Sequence, residues 1–449
     1  MAKILIVTSG LTGIFNAVKQ LVSILEEGGH VVTSASPRQD IDVKDLGFSH
    51  IVLNPLSQSP IVRIPLDKHK KGISTLLYKH LIRGKRRSQA LEVIEPLDFL
   101  PLVQSLSPDM ILIDIEMHEY IFQAHSTGIP VVLLNQFFSV WTSASLPDIQ
   151  SNTVPGIGFT GSKPGLWLSF VRLLAKRNYR AARMSLLSGG VSRIEILHQL
   201  AKKFDFPRDA IGYNLWPGPI VYNKLKVLNM TLEALEWPHA KRPMMRYIGP
   251  MVNLDRNDPK AQTTNDYTLE AVFEKAEQSG AKIVYCAVGT MKTGKSDFLK
   301  NLVEGMGALS SWILVLSVGK HIDEAAYRGD RTNVFTFSHV PQLEVLSKAS
   351  VAIVHGGIHT IHECLLLKVP MLIYSGKKAD QNGNAARLVY HGLAHHGDRH
   401  TDTKKDIIRK IERLAQDQKI KDAMDELCTE LKHRSGEDVV KEILGGEVD

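Results

Sequence analysis

The sequence predicts an α/β protein built from two doubly wound parallel sheets that face each other across a cleft. Three observations carry this expectation. The chain has 449 residues, and a single hydrophobic core rarely serves more than roughly 250–300 residues, so two domains are expected. Short β-rich apolar runs alternate with helical patterns in two separate series, the arrangement of parallel sheets flanked by helices. Between the series lies a polar, proline-bearing stretch that reads as a linker.

The first series opens at the amino terminus, where MAKILIVTSG is too short in apolar residues for a signal-peptide core and reads as a strand, Ile4–Val7. Val18, Leu21, Val22 and Leu25 then recur at helical spacing, and Gly28–Gly29 supplies a C-cap signal. Further strands fall at Val31–Ser34, Met110–Ile113 and Val131–Leu134. Residues 146–165, rich in Pro, Gly and Ser, are expected to form a loop over the cleft. The second series runs through Ile283–Val288, Ile313–Val318, Val334–Phe337, Val351–Val354 and Met371–Tyr374. The expected layout is a first domain over 1–236, a linker over 237–264 and a second domain over 265–425. A carboxyl-terminal helix in 426–449 is expected to pack back on the first domain.

Composition narrows the classes. Cys286, Cys364 and Cys428 are odd in number and far apart, which suits neither a disulfide framework nor a metal-ligand spacing and points to a reducing compartment. No apolar run approaches the roughly 18–20 residues of a bilayer span, so a soluble, cytoplasmic protein is expected. The net charge of +7 is uneven: between Arg63 and Arg87 nine Lys/Arg stand against one acid, Asp67. A second basic run, Arg172 to Arg183, lies on a helical pattern. Each run alone fits a solvated face, and both also suit peripheral contact with an anionic membrane or an acidic acceptor. Nucleic acid is disfavoured, because no recognition motif or aromatic interleaving accompanies the charge.

The residues with chemical content cluster between Phe337 and Arg387. There the strand Val351–Val354 leads into His355, Gly356 and Gly357 and then into an apolar helix start. A glycine turn between strand and helix leaves free backbone N–H groups at a positive helix end, a ready site for phosphate. The two glycines allow close backbone approach, and the His355 imidazole can donate to a phosphate oxygen. A strand-end histidine in a tight turn would explain His355 without any ligand. Thr360 and Glu363 likewise fit S/T-x-x-E, a capping box. Asp380 and Gln381 follow the next strand, and the combination looks like a nucleotide-sugar site.

HGGIHTIHE, then VPM, then DQNGNAAR together resemble the donor-binding signature of inverting family-1 glycosyltransferases, the UDP-glycosyltransferase group. HVPQLEVL upstream and RYIGP in the linker match the same family, and several elements in fixed order are more specific than a lone Gly-rich loop. The resemblance implies a GT-B fold of two Rossmann-like domains, with the donor on the second. It implies that His355 contacts the donor phosphate, while Thr360 and the amides around Gly356 and Gly357 hold the rest of the diphosphate. By the same resemblance Glu363 binds the ribose, Asp380 with Gln381 holds the sugar hydroxyls, and Gln342 and the Val340 backbone lie at the base and ribose. Gly289–Thr290 would stand near the diphosphate. His339 occupies a position where the family often has a tryptophan stacked on uracil, and His359 one where asparagine is common. A UDP-sugar co-substrate, with no further cofactor and no metal, is implied, since helix dipole and imidazole neutralise a leaving diphosphate.

The first domain departs from the pattern. The family's G-H-x-x-P falls on Gly13, Ile14, Phe15, Asn16 and Ala17, and an isoleucine cannot accept a proton. Asp114, after Met110–Ile113, matches the aspartate that normally supports the missing histidine, and Glu116 and His118 stand close by on the same loop. A carboxylate in a dry cleft can have a pKa raised enough for this work; a strand-end acid capping a loop is the structural alternative. The acceptor could also be acidic enough to need little base, or the chain could be a catalytically silent binding or activator protein. QFFSVWTSASLPDIQ, from Gln136, resembles the loop of bacterial family members that act on lipophilic aglycones, although core packing explains Phe137, Phe138 and Trp141 equally well. The expectation is therefore an inverting, metal-independent transfer of sugar to a hydroxyl of a small lipophilic or phenolic acceptor.

Overall fold

The computed structural model describes residues 1–37, 47–54, 73–238, 244–256, 258, 260–263, 267–287, 297–319, 324–327, 331–376, 379–432 and 435–444. The first domain holds strands β1 (Lys3–Val7), β2 (Val31–Ser36), β3 (Ser49–Val52), β4 (Met110–Asp114) and β5 (Val131–Asn135). A short antiparallel hairpin, β6 (Ile211–Tyr213) and β7 (Ile220–Tyr222), precedes β8 (Lys226–Asn229) and β9 (Met245–Tyr247). Apart from the hairpin, these strands form one parallel sheet in the order β3-β2-β1-β4-β5-β8-β9.

The second domain repeats the plan with β10 (Lys282–Ala287), β11 (Trp312–Ser317), β12 (Val334–Phe337), β13 (Ala349–Val354), β14 (Met371–Ile373) and β15 (Ala394–His396). Its order is β12-β11-β10-β13-β14-β15, again all parallel. Strands covered on both faces need apolar residues at every position, which is why these runs show no alternation in the sequence. Strand order reverses between β1 and β4 in the first sheet and between β10 and β13 in the second. At such switch points the loops leave in opposite directions and open a crevice beyond the carboxyl ends of the strands.

The first helix, Thr12–Glu27, lays Ile14, Val18, Leu21 and Leu25 into one buried cluster with Ile4 and Ile6 of β1. It ends at Gly28, and the left-handed residue that turns the chain away is Gly29, at φ +79°. The last described helix, Gly436–Leu444, returns to this cluster: Val439 and Ile443 are buried in it, and Lys226 Nζ donates to the Glu442 carbonyl.

Two expected boundaries shift. The stretch taken as linker contains β9, the last strand of the first sheet, because Met245 and Tyr247 are apolar enough to cover its edge beside β8. The expected loop 146–165 runs only to Ile157, where a short helix, Gly158–Gly161, leads into the long helix Lys163–Ser188, capped by Ser162 with Pro164 in its first turn.

Side chains lock the domains together. Arg387, from the helix Gln381–Tyr390, meets Glu236 at 3.3 Å with both side chains at most 3% exposed. Its guanidinium lies between the rings of Phe138 and Trp237, 4.7 and 4.9 Å from their centroids. Asn382 Nδ2 donates to the Gln150 carbonyl at 3.3 Å. A loop after one sheet is thus clasped by a helix of the other.

Candidate active site between the two sheets

The turn expected to bind phosphate sits at the switch point of the second sheet. β13 ends at Val354, His355 follows, and the helix Ile358–Leu366 begins with Gly357 as N-cap. Gly356 has φ +89°, and a Cβ there would stand 2.8 Å from the Gln381 carbonyl oxygen, so only glycine fits without strain. The His355 ring covers Gly357, and its buried Nδ1 has no hydrogen-bond partner among the described residues. Burial, then the nearby Arg399 charge, pushes the His355 pKa down to about 4 against the opposing pull of the Ala287 backbone, so the ring is neutral at physiological pH.

Around this turn the structure gathers several expected residues. Gln342 begins the helix Gln342–Lys348; its Nε2 donates to Glu363 and, at 3.3 Å, to Thr360 Oγ1. Tyr285 OH donates to Gln342 Oε1 at 3.1 Å. The capping-box reading is corrected: with Gly357 as N-cap, Thr360 and Glu363 lie inside the helix, and Glu363 turns to Arg256 Nη1 at 2.5 Å. Arg256 comes from the linker and itself pairs with Asp258 at 2.7 Å. Burial raises the Glu363 pKa, against the opposing pull of Arg256.

Val340 is buried, leaving its backbone as the available group, while the neighbouring His339 carbonyl pairs with Gln262 N–H at 2.8 Å. Asp380 caps the start of Gln381–Tyr390 and accepts from Asn384 Nδ2 at 2.7 Å. Gln381 Oε1 accepts from the Gly376 N–H at 2.9 Å. Gly289 and Thr290 lie outside the described residues.

Across the cleft, Asp114 closes β4 at the first sheet's switch point and is fully buried. It accepts from the Glu116 N–H at 3.1 Å, and burial raises its pKa to about 6. Glu116 is pushed up to about 8 by burial, then by the charges of Asp114 and, from the other domain, Asp380. Three acids from two domains therefore share one field, and the Asp114–Glu116 pair holds one proton between its members near neutral pH.

His118 differs from its expected loop position. It opens the helix His118–Ser126, its Nδ1 is bonded to Tyr222 OH at 2.9 Å, and burial, then Arg193, pushes its pKa to about 3. So weak an imidazole is a poor base. Ile14 is fully buried in the core cluster and leaves no functional group in the cleft.

A cavity of about 800 Å³ opens beside Glu116. Met117, His118, Arg177, Met184, Tyr213 to Leu215 and Pro217 to Pro219 line it, together with Ser9 and Leu11 after β1. Of the two readings of the loop after β5, core packing is the one observed: Phe137 and Phe138 are buried, and neither they nor Trp141 line this cavity. The two phenylalanines follow a strand buried from Val132 onward and continue its packing. His359, marked in the sequence only as a departure from the family's usual asparagine, reaches across the cleft: its Nε2 lies 3.1 Å from Gln136 Oε1 and its ring presses on Gly13. Gly13 admits this approach because a Cβ there would collide with the ring. Among the described residues no group of three or more His, Cys, Asp or Glu is arranged to hold a metal ion.

Two facing doubly wound domains, with a glycine turn at a helix head on one and a largely apolar cavity on the other, form a GT-B fold. The glycotransferase of kitacinnamycin shares it with a TM-score of 0.68 at 20% identity, over 99% of this chain and 98% of that one. VinC, a glycosyltransferase solved in complex with DTDP, has a TM-score of 0.62 at 16% identity, over 98% of both chains. Residues 221–436, a span that holds the whole second sheet, match the family described as UDP-glucoronosyl and UDP-glucosyl transferase. The zeaxanthin glucosyltransferase of Pantoea ananas is 23% identical over 231 residues, 50% of this chain and 50% of its own. The match therefore spans half the length of that relative.

Proposed function

We propose that this protein transfers a sugar from a nucleoside diphosphate sugar, UDP-linked in the first instance, to a hydroxyl of a small lipophilic acceptor. The observation that carries the reading is the juxtaposition of a phosphate turn, at the head of the Ile358–Leu366 helix, with the Asp114–Glu116 pair beside an apolar cavity. The donor diphosphate would lie on the amides at Gly357 with the His355 N–H as a further donor. Glu363, Asp380 and Gln381 would meet the ribose and sugar hydroxyls by exchanging their present internal partners. Thymidine diphosphate bound to VinC makes a dTDP-sugar the natural second donor to try.

The chemistry is a direct displacement with inversion. The acceptor oxygen attacks C1 of the sugar, the bond from C1 to the diphosphate oxygen breaks, and the acceptor proton passes to the Asp114–Glu116 pair. Helix dipole, backbone N–H groups and His355 stabilise the charge that develops on the leaving diphosphate. Holding both reactants in a closed interdomain cleft supplies positioning. No step of this scheme draws on a metal ion.

The fully buried Ile14 favours a second reading, a silent donor-binding protein of the same fold. One assay separates the two. Nucleotide release is followed from UDP- and dTDP-sugars with a panel of phenolic and lipophilic alcohols. Acceptor-dependent release with an inverted anomeric product is expected; tight donor binding without turnover on any acceptor would sustain the silent reading instead.

A further inference from the structure

We propose that the outer face of the helices Gly158–Gly161 and Lys163–Ser188 seats this protein on an anionic lipid bilayer. The 26-residue helix buries only Gly165, Leu166 and Ser188. Trp167 is 58% exposed, Tyr179 68% and Leu186 54%, and Phe159 on the short helix is 69% exposed. At about 100° per residue, Trp167, Val171, Tyr179 and Leu186 fall within one arc of roughly 120°. Arg172, Lys176, Arg180 and Arg183 fall on the adjoining arc.

Lys163–Ser188 carries six Lys/Arg and no acid. The helix Ile73–Leu81 packs against it and adds exposed Leu77, Tyr78 and Leu81. Contiguous exposed apolar surface of this kind marks a binding face, and the charge beside it selects the occupant. A second copy of this chain would set like charges against each other. An anionic bilayer supplies both an apolar layer for the aromatic stripe and negative head groups for the basic one, the pattern of an interfacial helix. Among the described residues no helix is long and apolar enough to cross a membrane, so the contact proposed is peripheral. Arg177, Arg180 and Met184 of the same helix line the cavity beside Glu116, so an acceptor dissolved in the bilayer would enter next to the seat. That last link rests on the transferase reading; the seat itself does not.

The test is sedimentation of the full-length protein with phosphatidylcholine vesicles, with and without phosphatidylglycerol, at low and high salt. Binding is expected only to the anionic vesicles and is expected to fall with salt. The triple variant Phe159→Ser, Trp167→Ser, Tyr179→Ser should bind them about tenfold more weakly, since three apolar anchors leave the interface. UDP binding by that variant should be unchanged, which shows that it folds. Wild-type protein that stays in the supernatant at low salt, a variant that binds as well as wild type, or a wild-type dimer that the variant dissolves would each overturn the proposal. Transfer to a water-soluble acceptor is measured in parallel. Vesicle binding without transfer to any acceptor removes the transferase reading alone, and transfer without vesicle binding removes the seat alone.

Discussion

Glu116 stands between Asp114 on its own loop and Asp380 across the cleft, and two measurements follow from that position. If the pair accepts the proton as proposed, Glu116→Gln should lower kcat by about 100-fold or more while leaving donor affinity within about twofold. The rate of wild type should rise with pH through a macroscopic pKa near 6 that belongs to the pair. Unchanged turnover in the variant would remove the pair from the mechanism. Stability should move the other way. A folded pKa raised from 4.5 to about 8 favours the protonated form, so this stability is present below the unfolded value and is lost as pH rises through about 8. Glu116→Gln should therefore raise the melting temperature more at about pH 8.5 than at about pH 5.5. Asp114 and Glu116 were legible as candidates because they follow an apolar strand at its carboxyl end. His118 misled, since the sequence shows no sign of Tyr222, its partner more than a hundred residues away.

At the scale of elements, the glycine turn proposed to hold phosphate was the most legible feature, because strand, glycines and helix are contiguous in the chain. Its weakest point is Gly356, where the backbone is left-handed and the Gln381 carbonyl closes off any Cβ. Gly356→Ala should destabilise the fold by about 1–3 kcal/mol, as strained positions do, and weaken UDP binding at least tenfold, measured by calorimetry. A variant that binds UDP normally would show that the diphosphate does not use this turn. The capping box failed because its sequence pattern cannot tell N-cap from N3, and the glycine that caps this helix sits three residues earlier. The sequence left the aromatic loop after β5 open between an acceptor loop and core packing, and its two phenylalanines serve the core.

For the whole molecule, the joint between domains is the decisive feature. Arg387 and Glu236 are both buried, and removing one leaves an uncompensated charge, so Arg387→Met should cost about 3–5 kcal/mol in denaturant unfolding. Turnover should fall with it, because the cleft is assembled across this contact; a variant as stable as wild type would show that the pair is not buried in solution. The histidines set an acid limit. Burial, with a lesser contribution from neighbouring charges, pushes His118 and His362 to about 3 and His355 and His359 to about 4. Folded values below the unfolded 6.5 mean that this stability is present above 6.5 and is lost as pH falls towards 4. Melting temperature should drop steeply below about pH 6, and ligand that occupies the phosphate turn should displace the midpoint.

The sequence by itself determined the two alternating series, the strands at both switch points and the glycine turn after β13, since each is written in contiguous residues whose apolar period or glycine spacing fixes local structure. Only the tertiary structure decided what faces what. It set Glu116 against Asp380, His359 on Gly13, Arg256 on Glu363 and Arg387 on Glu236, pairs drawn from distant parts of the chain. Such pairs depend on how two sheets are placed across a cleft, and no local pattern records that placement. Burial, which moves every pKa discussed above, is likewise a property of the assembled fold.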